Sequence, residues 1–366
     1  MKFSLPKEIL LEKLSLASRF TSSKLTSTTL LQGVRINGEK NKLHLYSTNL
    51  SSYYHSVLKT DISDSFNIVI EPRKVMEFLS LLPAGVIQIE IKDKSIAMSQ
   101  EKIKGEFPLF PAHEFPSFPK VDEKPLEIPQ KFLTEYLPLV MFSASTDESR
   151  PILTGINFIA HDDDLTIVST DGFRLSLLKL KKETNLPPVI VPSSFLEEVI
   201  HLLKGTTTVR IAYSPEEKVI GFFIDDHEIY TRLIDGEYPP YEKVIPAEKK
   251  TSIVVDKEEF LRNIKLISIF AREFSNIVII QTTKDGIHIK PKEDTGGENV
   301  SFQEADVTGE EIKIAFNFKF LLDFLIHAEG KKITIELLRK DAPVVFHSEK
   351  QVNFIHIIMP VRIQEE

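Results

Sequence analysis

The sequence predicts an α+β protein of three repeated domains, each with two helices packed on antiparallel sheet. A string of the form acid–aromatic–Pro–x–aromatic starts at residue 114 and again at residue 237, which is 123 residues later and close to one third of the 366-residue chain. Helix-opening and strand-opening patterns recur in the same order near Pro6, Pro129 and Asp256, near Pro72, Pro192 and Asn317, and at Ile87, Val209 and Ile333. Recurrence at one period indicates three copies of one structural unit.

Each copy opens with a pattern typical of an amphipathic helix. In the third copy the apolar positions are 4, 3 and 4 residues apart, at Phe260, Ile264, Ile267 and Ala271. Asp256 precedes this helix and Glu259 lies three residues after Asp256, a spacing that predicts an N-terminal cap. The same rhythm appears at Phe132, Tyr136, Leu139 and Ser143 in the second copy, and at Leu10, Leu14 and Ala17 in the first.

Alternating strands, a shorter helix and a hairpin follow in every copy. The alternation is clearest at Leu43 and Leu45, at Leu165 and Ile167, and at Ile287 and Ile289. Polar hairpin turns are predicted at 92–94, 214–216 and 339–341. The segments 110–129 and 237–252 are rich in proline, which lacks an N–H and disfavours helix before it, so both predict connections. The predicted domains are 1–120, 126–246 and 250–366.

Composition excludes several classes of protein. The chain has no cysteine, so disulfides, thiolate catalysis and cysteine-bound zinc are excluded. No apolar run reaches the length of a membrane span, and the first residues lack the pattern of a signal peptide, so we expect an intracellular protein. The net charge of −8 argues against nucleic acid, unless basic side chains are sorted onto one surface of the molecule.

No motif for catalysis or cofactor binding is present in the sequence. Phosphate-binding glycine loops, G-x-S-x-G and H-E-x-x-H are all missing. The densest group of possible ligands or acids is 161–164, followed by 225–227. Both precede apolar alternating segments, and we interpret them as solvated turns in preference to a metal site. A hydrolase that uses 161–164 is kept as a competing hypothesis.

Four segments carry a more specific signal. These are 150–155 (RPILTG), 170–175 (TDGFRL), 231–246 (TRLIDGEYPPYEKVIP) and the tail 359–363 (MPVRI). Together they resemble the bacterial DNA polymerase III beta subunit family, the sliding clamps, and the resemblance extends from Met1 to the C-terminus. It implies three repeated clamp domains in a head-to-tail homodimer, closed into a ring with sheet outside and helices lining a hole for duplex DNA. It further implies a cytoplasmic, non-enzymatic processivity factor in DNA replication, without a cofactor.

The resemblance also implies positions for DNA contacts on or beside the helices. The candidates are Lys24, Arg73, Lys74, Arg150, Lys204, Arg272 and Lys319. Contacts to phosphates carry no sequence information, so a ring that uses only them can hold DNA and still slide. In the middle copy, 193–195 lacks the basic pair found at Arg73 and Lys74.

In this family a groove between the second and third domains accepts short, partly apolar peptides from the replicative polymerase, the clamp loader and repair proteins. The wall implied here is Leu153, Thr170, Gly172, Phe173, Arg174, Leu175, Pro239, Lys243, Val244, Pro343, Met359, Pro360, Val361 and Arg362. The apolar members would bury a leucine or aromatic anchor, while Arg174 and Arg362 would hold peptide carbonyls or an acidic side chain. Phe173 replaces a frequent histidine of the family, and Lys243 a common arginine.

An apolar run at a helix end predicts the contact between subunits. We expect Ile269 and Phe270 of one copy to face Phe107 of the other. The competing hypothesis within the same fold is a clamp-like scaffold that binds protein partners without encircling DNA.

Overall fold

The computed structural model describes residues 1–22, 29–121, 123–182, 186–203, 208–273, 275–292 and 299–362. The chain divides into two compact units. The first consists of Met1–Gln130 and Ser194–Leu233, and the second of Lys131–Ser193 and Ile234–Glu366. The middle repeat contributes to both units, so the domain boundaries given above stay predictions.

The described residues form two helices in each of the three repeats. They are α1 (Lys7–Ser18), α2 (Pro72–Leu81), α3 (Leu137–Met141), α4 (Ser193–Leu202), α5 (Lys257–Ala271) and α6 (Phe318–His327). A π-helical turn, Phe132–Tyr136, leads directly into α3. At α5 the predicted cap is present, since the Asp256 carboxylate accepts a hydrogen bond of 2.9 Å from the Glu259 amide.

Eight strands belong to each repeat. In the first they are β1 (Lys2–Pro6), β2 (Val34–Glu39), β3 (Lys42–Thr48), β4 (Ser52–Lys59), β5 (Phe66–Ile70), β6 (Val86–Ile91), β7 (Ser95–Gln100) and β8 (Ile103–Pro108). In the second they are β9 (Leu126–Pro129), β10 (Gly155–His161), β11 (Asp164–Thr170), β12 (Arg174–Lys181), β13 (Val189–Pro192), β14 (Thr208–Ser214), β15 (Val219–Ile224) and β16 (His227–Arg232). In the third they are β17 (Thr251–Asp256), β18 (Ile277–Thr282), β19 (Gly286–Pro291), β20 (Ser301–Thr308), β21 (Lys313–Asn317), β22 (Lys332–Leu337), β23 (Val344–Ser348) and β24 (Phe354–Ile358).

The first unit contains two antiparallel sheets. One has the order β1-β6-β7-β8 and the other the order β5-β2-β3-β4-β16-β15-β14-β9. Helices α1 and α2 pack against each other, and α1 also packs on β2, β3 and β4. Their inward faces are fully buried at Leu14, Val75 and Leu79, at the 3.6-residue spacing that the sequence predicts.

The second unit contains one antiparallel sheet of twelve strands. Its order is β13-β10-β11-β12-β24-β23-β22-β17-β20-β19-β18-β21. Helices α5 and α6 pack together, and α3 contacts both α6 and the sheet. The α+β class with two helices on antiparallel sheet in every repeat is therefore confirmed.

One rule describes how consecutive repeats join. The fourth strand of the first repeat, β4, pairs with the eighth strand of the second, β16. In the same way β12, the fourth strand of the second repeat, pairs with β24, the eighth of the third. Two strands in the equivalent positions take part in no such pairing within the described ranges: β8, the eighth strand of the first repeat, and β20, the fourth strand of the third. Strand β8 is the last of its sheet, and residues 301–304 of β20 pair with β19 alone while 305–308 pair with β17.

The segment 225–227 differs from its prediction as a solvated turn. The turn between β15 and β16 is present, but Asp226 Oδ2 accepts a 2.5 Å hydrogen bond from Lys13 Nζ of α1. His227 is buried; its Nε2 lies 3.3 Å from Lys13 Nζ and its Nδ1 lies 2.9 Å from the Tyr54 hydroxyl. Pairing of β16 with β4 draws His227 into the unit, and this burial lowers its pKa.

The segment 161–164 forms the exposed turn between β10 and β11, as the sequence predicts. Across the described ranges, no three His, Asp or Glu side chains are grouped so that they could hold a metal ion. Within the same ranges, every helix is too short or too polar to span a bilayer.

Candidate functional site

Two of the predicted groove residues of the second unit belong to one apolar cluster. Its buried members are Val168, Leu175, Leu177, Val345 and Ile357, and the half-buried side chains packed on them include Tyr238, Tyr241 and Val244. Leu175 and Val244, which the sequence analysis assigned to the groove, thus share one apolar surface. Tyr238 and Tyr241 were missed, although they belong to the repeated string that first indicated the fold.

The loop between β11 and β12 gives Phe173 its exposed position. The Thr170 hydroxyl donates a hydrogen bond of 2.6 Å to the Arg174 carbonyl, and Asp171 Oδ1 accepts from the amides of Phe173 and Arg174 at 2.8 and 3.0 Å. Gly172 has a φ of +93°, a conformation that L side chains rarely adopt. The turn therefore leaves 59% of Phe173, a large apolar side chain, exposed just before Leu175 of the cluster.

The C-terminal tail is held at two points. The Met359 amide donates to the Phe173 carbonyl at 2.8 Å, and the Val361 amide donates to the Ala315 carbonyl of β21, also at 2.8 Å. Met359, Pro360 and Val361 are half-buried. The tail thus runs from Phe173 to the middle of β21, with the half-buried Met359, Pro360 and Val361 between the two points.

Arg174 is held by its neighbours on every side. Its Nε donates to Asp171 at 3.0 Å and its Nη1 donates to Asp323 of α6 at 2.5 Å. The guanidinium carbon lies 4.5 Å from the ring centre of Phe320 and 5.7 Å from that of Phe142. Only 11% of the side chain is exposed. This arrangement fixes the start of β12 against α6, whereas the sequence analysis assigned Arg174 to the peptide itself, an assignment that stays a prediction.

A buried histidine lies beside Arg174. His356 Nδ1 is 2.9 Å from the Ser176 hydroxyl, which in turn is 2.8 Å from that of Ser143. Its ring stacks on Phe324 with centres 5.2 Å apart, and its Nε2 has no hydrogen-bond partner within the part of the chain that the structure describes. Burial, with a smaller contribution from the Arg174 charge, lowers the pKa of His356 well below its usual value.

We expect His356 to make the stability of the folded protein depend on pH. In the unfolded chain His356 takes up a proton near its ordinary pKa of about 6.5, whereas the folded protein resists protonation at that pH. Its contribution to stability is therefore complete above about pH 6.5 and is lost as the pH falls below that value. The variant His356→Phe, which keeps the stacking on Phe324, should show a smaller loss of thermal stability between about pH 6.5 and 5. His161→Phe, at an exposed position, is the matched control and should leave the pH profile unchanged; equal profiles for both variants would contradict the assignment.

The other predicted groove residues lie on short turns and at the end of the chain. Leu153 is half-buried in the 3₁₀ turn Pro151–Thr154, and Val244 and the exposed Lys243 lie in the turn Tyr241–Val244. Pro239 and Arg362 are exposed, and Pro343 is half-buried. A pocket of about 400 Å³ adjoins Val361 and Arg362.

The predicted DNA contacts lie mainly at helix ends. Arg73 and Lys74 begin α2, Lys319 begins α6, and Arg272 follows α5; all four are exposed. Arg150 is also exposed and precedes a 3₁₀ turn, where its Nε lies 3.3 Å from an Asp147 oxygen. The remaining two candidates, Lys24 and Lys204, lie outside the described residues. Helix N-termini supply backbone amides that favour an anion, which adds to the side-chain charge at α2 and α6.

The residues predicted to join two copies include exposed apolar side chains. On α5, Ile269 is 52% and Phe270 42% exposed, and Leu266 beside them is 49% exposed. Phe107 of β8 is half-buried and packs against Phe78 with ring centres 5.5 Å apart. Leu266 and Phe302 of β20, the latter 46% exposed, were not among the predicted interface residues. The alternation of β20 could have indicated Phe302, but not that residues 301–304 pair with β19 alone.

Comparison with known proteins identifies the family to which this fold belongs. Three repeats of two helices on antiparallel sheet, joined fourth strand to eighth, define the class of sliding clamps. Family models of the DNA polymerase III beta subunit match residues 1–119 (N-terminal domain), 127–240 (central domain) and 242–362 (C-terminal domain). The chain belongs to the DNA polymerase III beta subunit family, and its function is that of a DNA sliding clamp in replication.

Full-length relatives agree with this assignment. The beta sliding clamp of Bacillus subtilis is 28% identical over 379 residues, covering 99% of this chain and all of the relative. The crystal structure of the sliding clamp from B. subtilis superposes with a TM-score of 0.90 at 27% identity, over the whole of both chains. The beta subunit of Thermotoga maritima has the same fold, with a TM-score of 0.90 at 24% identity over 99% of this chain and 100% of that one.

Proposed function

We propose that two copies of this chain associate head to tail into a ring that encircles duplex DNA. The observation that carries the proposal is the joining rule of the sheet, in which the fourth strand of one repeat pairs with the eighth strand of the next. Continued once more, the rule pairs β20 of one copy with β8 of the other. Such pairing would give a partner to β8, an end strand of its sheet, and to residues 301–304 of β20, which pair with β19 alone. Exposed strand edges are the usual sites of strand addition.

The proposed contacts with DNA are electrostatic and independent of sequence. Arg73, Lys74, Arg150, Arg272 and Lys319 would meet phosphates, together with Lys24 and Lys204. Phosphate contacts look alike at every base pair, so the protein can shift along the duplex without losing affinity. Retention would then follow from ring closure, and a tethered polymerase would rebind at high effective concentration instead of diffusing away.

We further propose that the apolar cluster of the second unit, with Phe173 and the tail, binds short peptides of partner proteins. The partners would be the replicative polymerase, the clamp loader and repair proteins. Phe173 is more than half exposed and Met359 is flexible enough to fit different apolar anchors. In this scheme the chain itself catalyses no reaction and needs no cofactor, ATP is used by the loader, and the protein works in the cytoplasm.

Retention on DNA tests the ring. After loading onto a nicked circular plasmid by the cognate clamp loader and ATP, the protein should stay bound through gel filtration at about 0.5 M salt, where phosphate contacts alone are weak. Linearising the plasmid should release it, because the ring can then slide off the ends. Equal retention on circular and linear DNA, or on neither, would instead favour a clamp-like scaffold that does not encircle DNA.

Peptide binding tests the groove. A fluorescent peptide of the Gln-Leu-x-Leu-Phe type should bind saturably in an anisotropy titration. The double variant Phe173→Ala, Met359→Ala should weaken binding about 30-fold, since each truncation removes roughly 1 kcal/mol of apolar contact. The matched control is Val352→Ala, which truncates a side chain that is 80% exposed. Unchanged affinity in the double variant would place the binding site elsewhere.

A further inference from the structure

A pocket of about 400 Å³ lies where β21, the turn between β22 and β23, and the C-terminal tail meet. Its apolar floor consists of Ile314 and Ala315 of β21, which are 2% and 1% exposed, and of Val361 of the tail. The Val361 amide bonds to the Ala315 carbonyl, so the tail closes one side of the pocket. The cavity is large enough for two or three side chains of a peptide.

The rim of this pocket is strongly basic. Lys313 borders it from β21, Arg339 and Lys340 from the turn, and Arg362 from the tail. Asp341 is the single carboxylate among the lining residues that the structure describes, and it accepts a hydrogen bond of 2.6 Å from Arg339 Nε. This bond, with weaker help from Arg362, lowers the pKa of Asp341, so it is ionised at neutral pH. Four positive charges then stand against one negative charge, in a protein whose net charge is −8.

We propose that this basic pocket binds an acidic segment that flanks the apolar anchor of a partner peptide. An apolar floor with a cationic rim suits a short peptide that carries two carboxylates beside its apolar residues. The inference rests on the proposed function of the neighbouring groove and names the class of partner that the groove prefers.

Continuity with the groove supports this assignment. Val361 and Arg362 belong both to the predicted groove wall and to the pocket. The tail leads from the Phe173 carbonyl, where the Met359 amide is bonded, to the Ala315 carbonyl of β21. A peptide whose anchor contacts Phe173 and Met359 can therefore follow the tail and place its adjacent residues in the pocket.

The pocket suits a peptide better than a DNA backbone. Its lining combines the apolar Ile314, Ala315 and Val361 with charged side chains, whereas the phosphates of a duplex offer no apolar group to such a floor. At the rim, Lys313 and Arg362 stand beside the Asp341–Arg339 pair and supply positive charge for a carboxylate of the peptide. The predicted DNA contacts also involve none of the residues that line this pocket.

A double-mutant cycle tests the proposal. Two peptides share one apolar anchor and differ in a flank that contains either two glutamates or two glutamines. Each is titrated at about 50 mM salt against the wild-type protein and against the variant Lys313→Gln, Arg339→Gln, which leaves Arg362 in place for the groove. The matched control is Lys120→Gln, Lys124→Gln, which removes the same charge from exposed positions in the other unit.

The acidic flank should tighten binding to the wild type and to the control about 5- to 10-fold, and to the pocket variant less than about 2-fold. The gain should shrink at about 0.3 M salt, where rim charges are screened. Provided that the glutamine peptide binds, an equal gain in affinity from the acidic flank in all three proteins, or no gain in any, would overturn the proposal. Failure of both peptides to bind wild type would instead refute the groove. Competition by a short duplex that depends on Lys313 and Arg339 would assign the pocket to DNA and overturn the peptide proposal.

Discussion

Phe270→Arg is expected to convert the dimer into monomers, with a dimer dissociation constant raised at least about 100-fold. Phe270 and Ile269 expose about half of their surface on α5, a helix that packs on β20, whose residues 301–304 pair with β19 alone. An arginine at this position would place a guanidinium without a partner in an apolar interface, which costs several kcal/mol. Light scattering across a concentration series measures the effect directly.

The control for this experiment is Val352→Arg, another change from an exposed apolar residue to arginine. Val352 is 80% exposed in the turn before β24 and belongs to neither β8, β20 nor α5, so the variant should remain dimeric. The Phe270→Arg protein should also be lost from circular DNA in the retention experiment, because a monomer cannot close a ring. A Phe270→Arg variant that stays dimeric, with unchanged retention, would remove α5 from the proposed interface.

Arg174→Ala is expected to cost about 2–4 kcal/mol of local stability in the second unit. The change leaves Asp171 and Asp323 without their cation, and Asp171 is only 14% exposed. Breaking a buried pair from one side costs about 3–5 kcal/mol, and the lower estimate reflects the 41% exposure of Asp323. The ring contacts with Phe142 and Phe320 are lost as well.

Hydrogen exchange is the appropriate measurement, because a chain of two compact units need not unfold in one step. Amides of β12 and α6 should exchange about 30- to 1000-fold faster in Arg174→Ala, while those of α1 and β3 should keep their wild-type rates. Arg262→Ala is the matched control, since Arg262 pairs with Glu259 at the surface with 64% exposure. A change of less than about 3-fold in α6 would contradict the structural role assigned to Arg174.

The arrangement around Arg174 also limits what affinity data on this residue can show. An Arg174→Ala variant changes the position of Phe173 and the packing of β12 on α6 at the same time, so weaker peptide binding would not identify a direct contact. Truncation of the exposed Phe173 and of Met359 is more informative, because both side chains are uncharged and their removal breaks neither of the ion pairs that hold Arg174.

Local physics made much of this protein predictable from its sequence. The helical spacing of Phe260, Ile264 and Ile267, the cap at Asp256 and the polar turns at 92–94 and 339–341 depend on neighbours within a few residues. Each appears in the structure where the sequence predicted it. The period of the pattern then gave the number of repeats, because three copies of one pattern are expected to fold in the same way.

Contacts between distant residues were decided by tertiary structure alone. Two ion pairs, Arg174 with Asp323 and Lys13 with Asp226, join residues more than 140 positions apart. The burial of His356 depends on the pairing of β12 with β24, which come from different repeats. The basic pocket arises in the same way, because Lys313, Arg339 and Arg362 come from three separate segments. The sequence by itself determined the elements, their repetition and the family. Which side chains share a buried space was set by strand pairing between repeats, since only that pairing brings their backbones together.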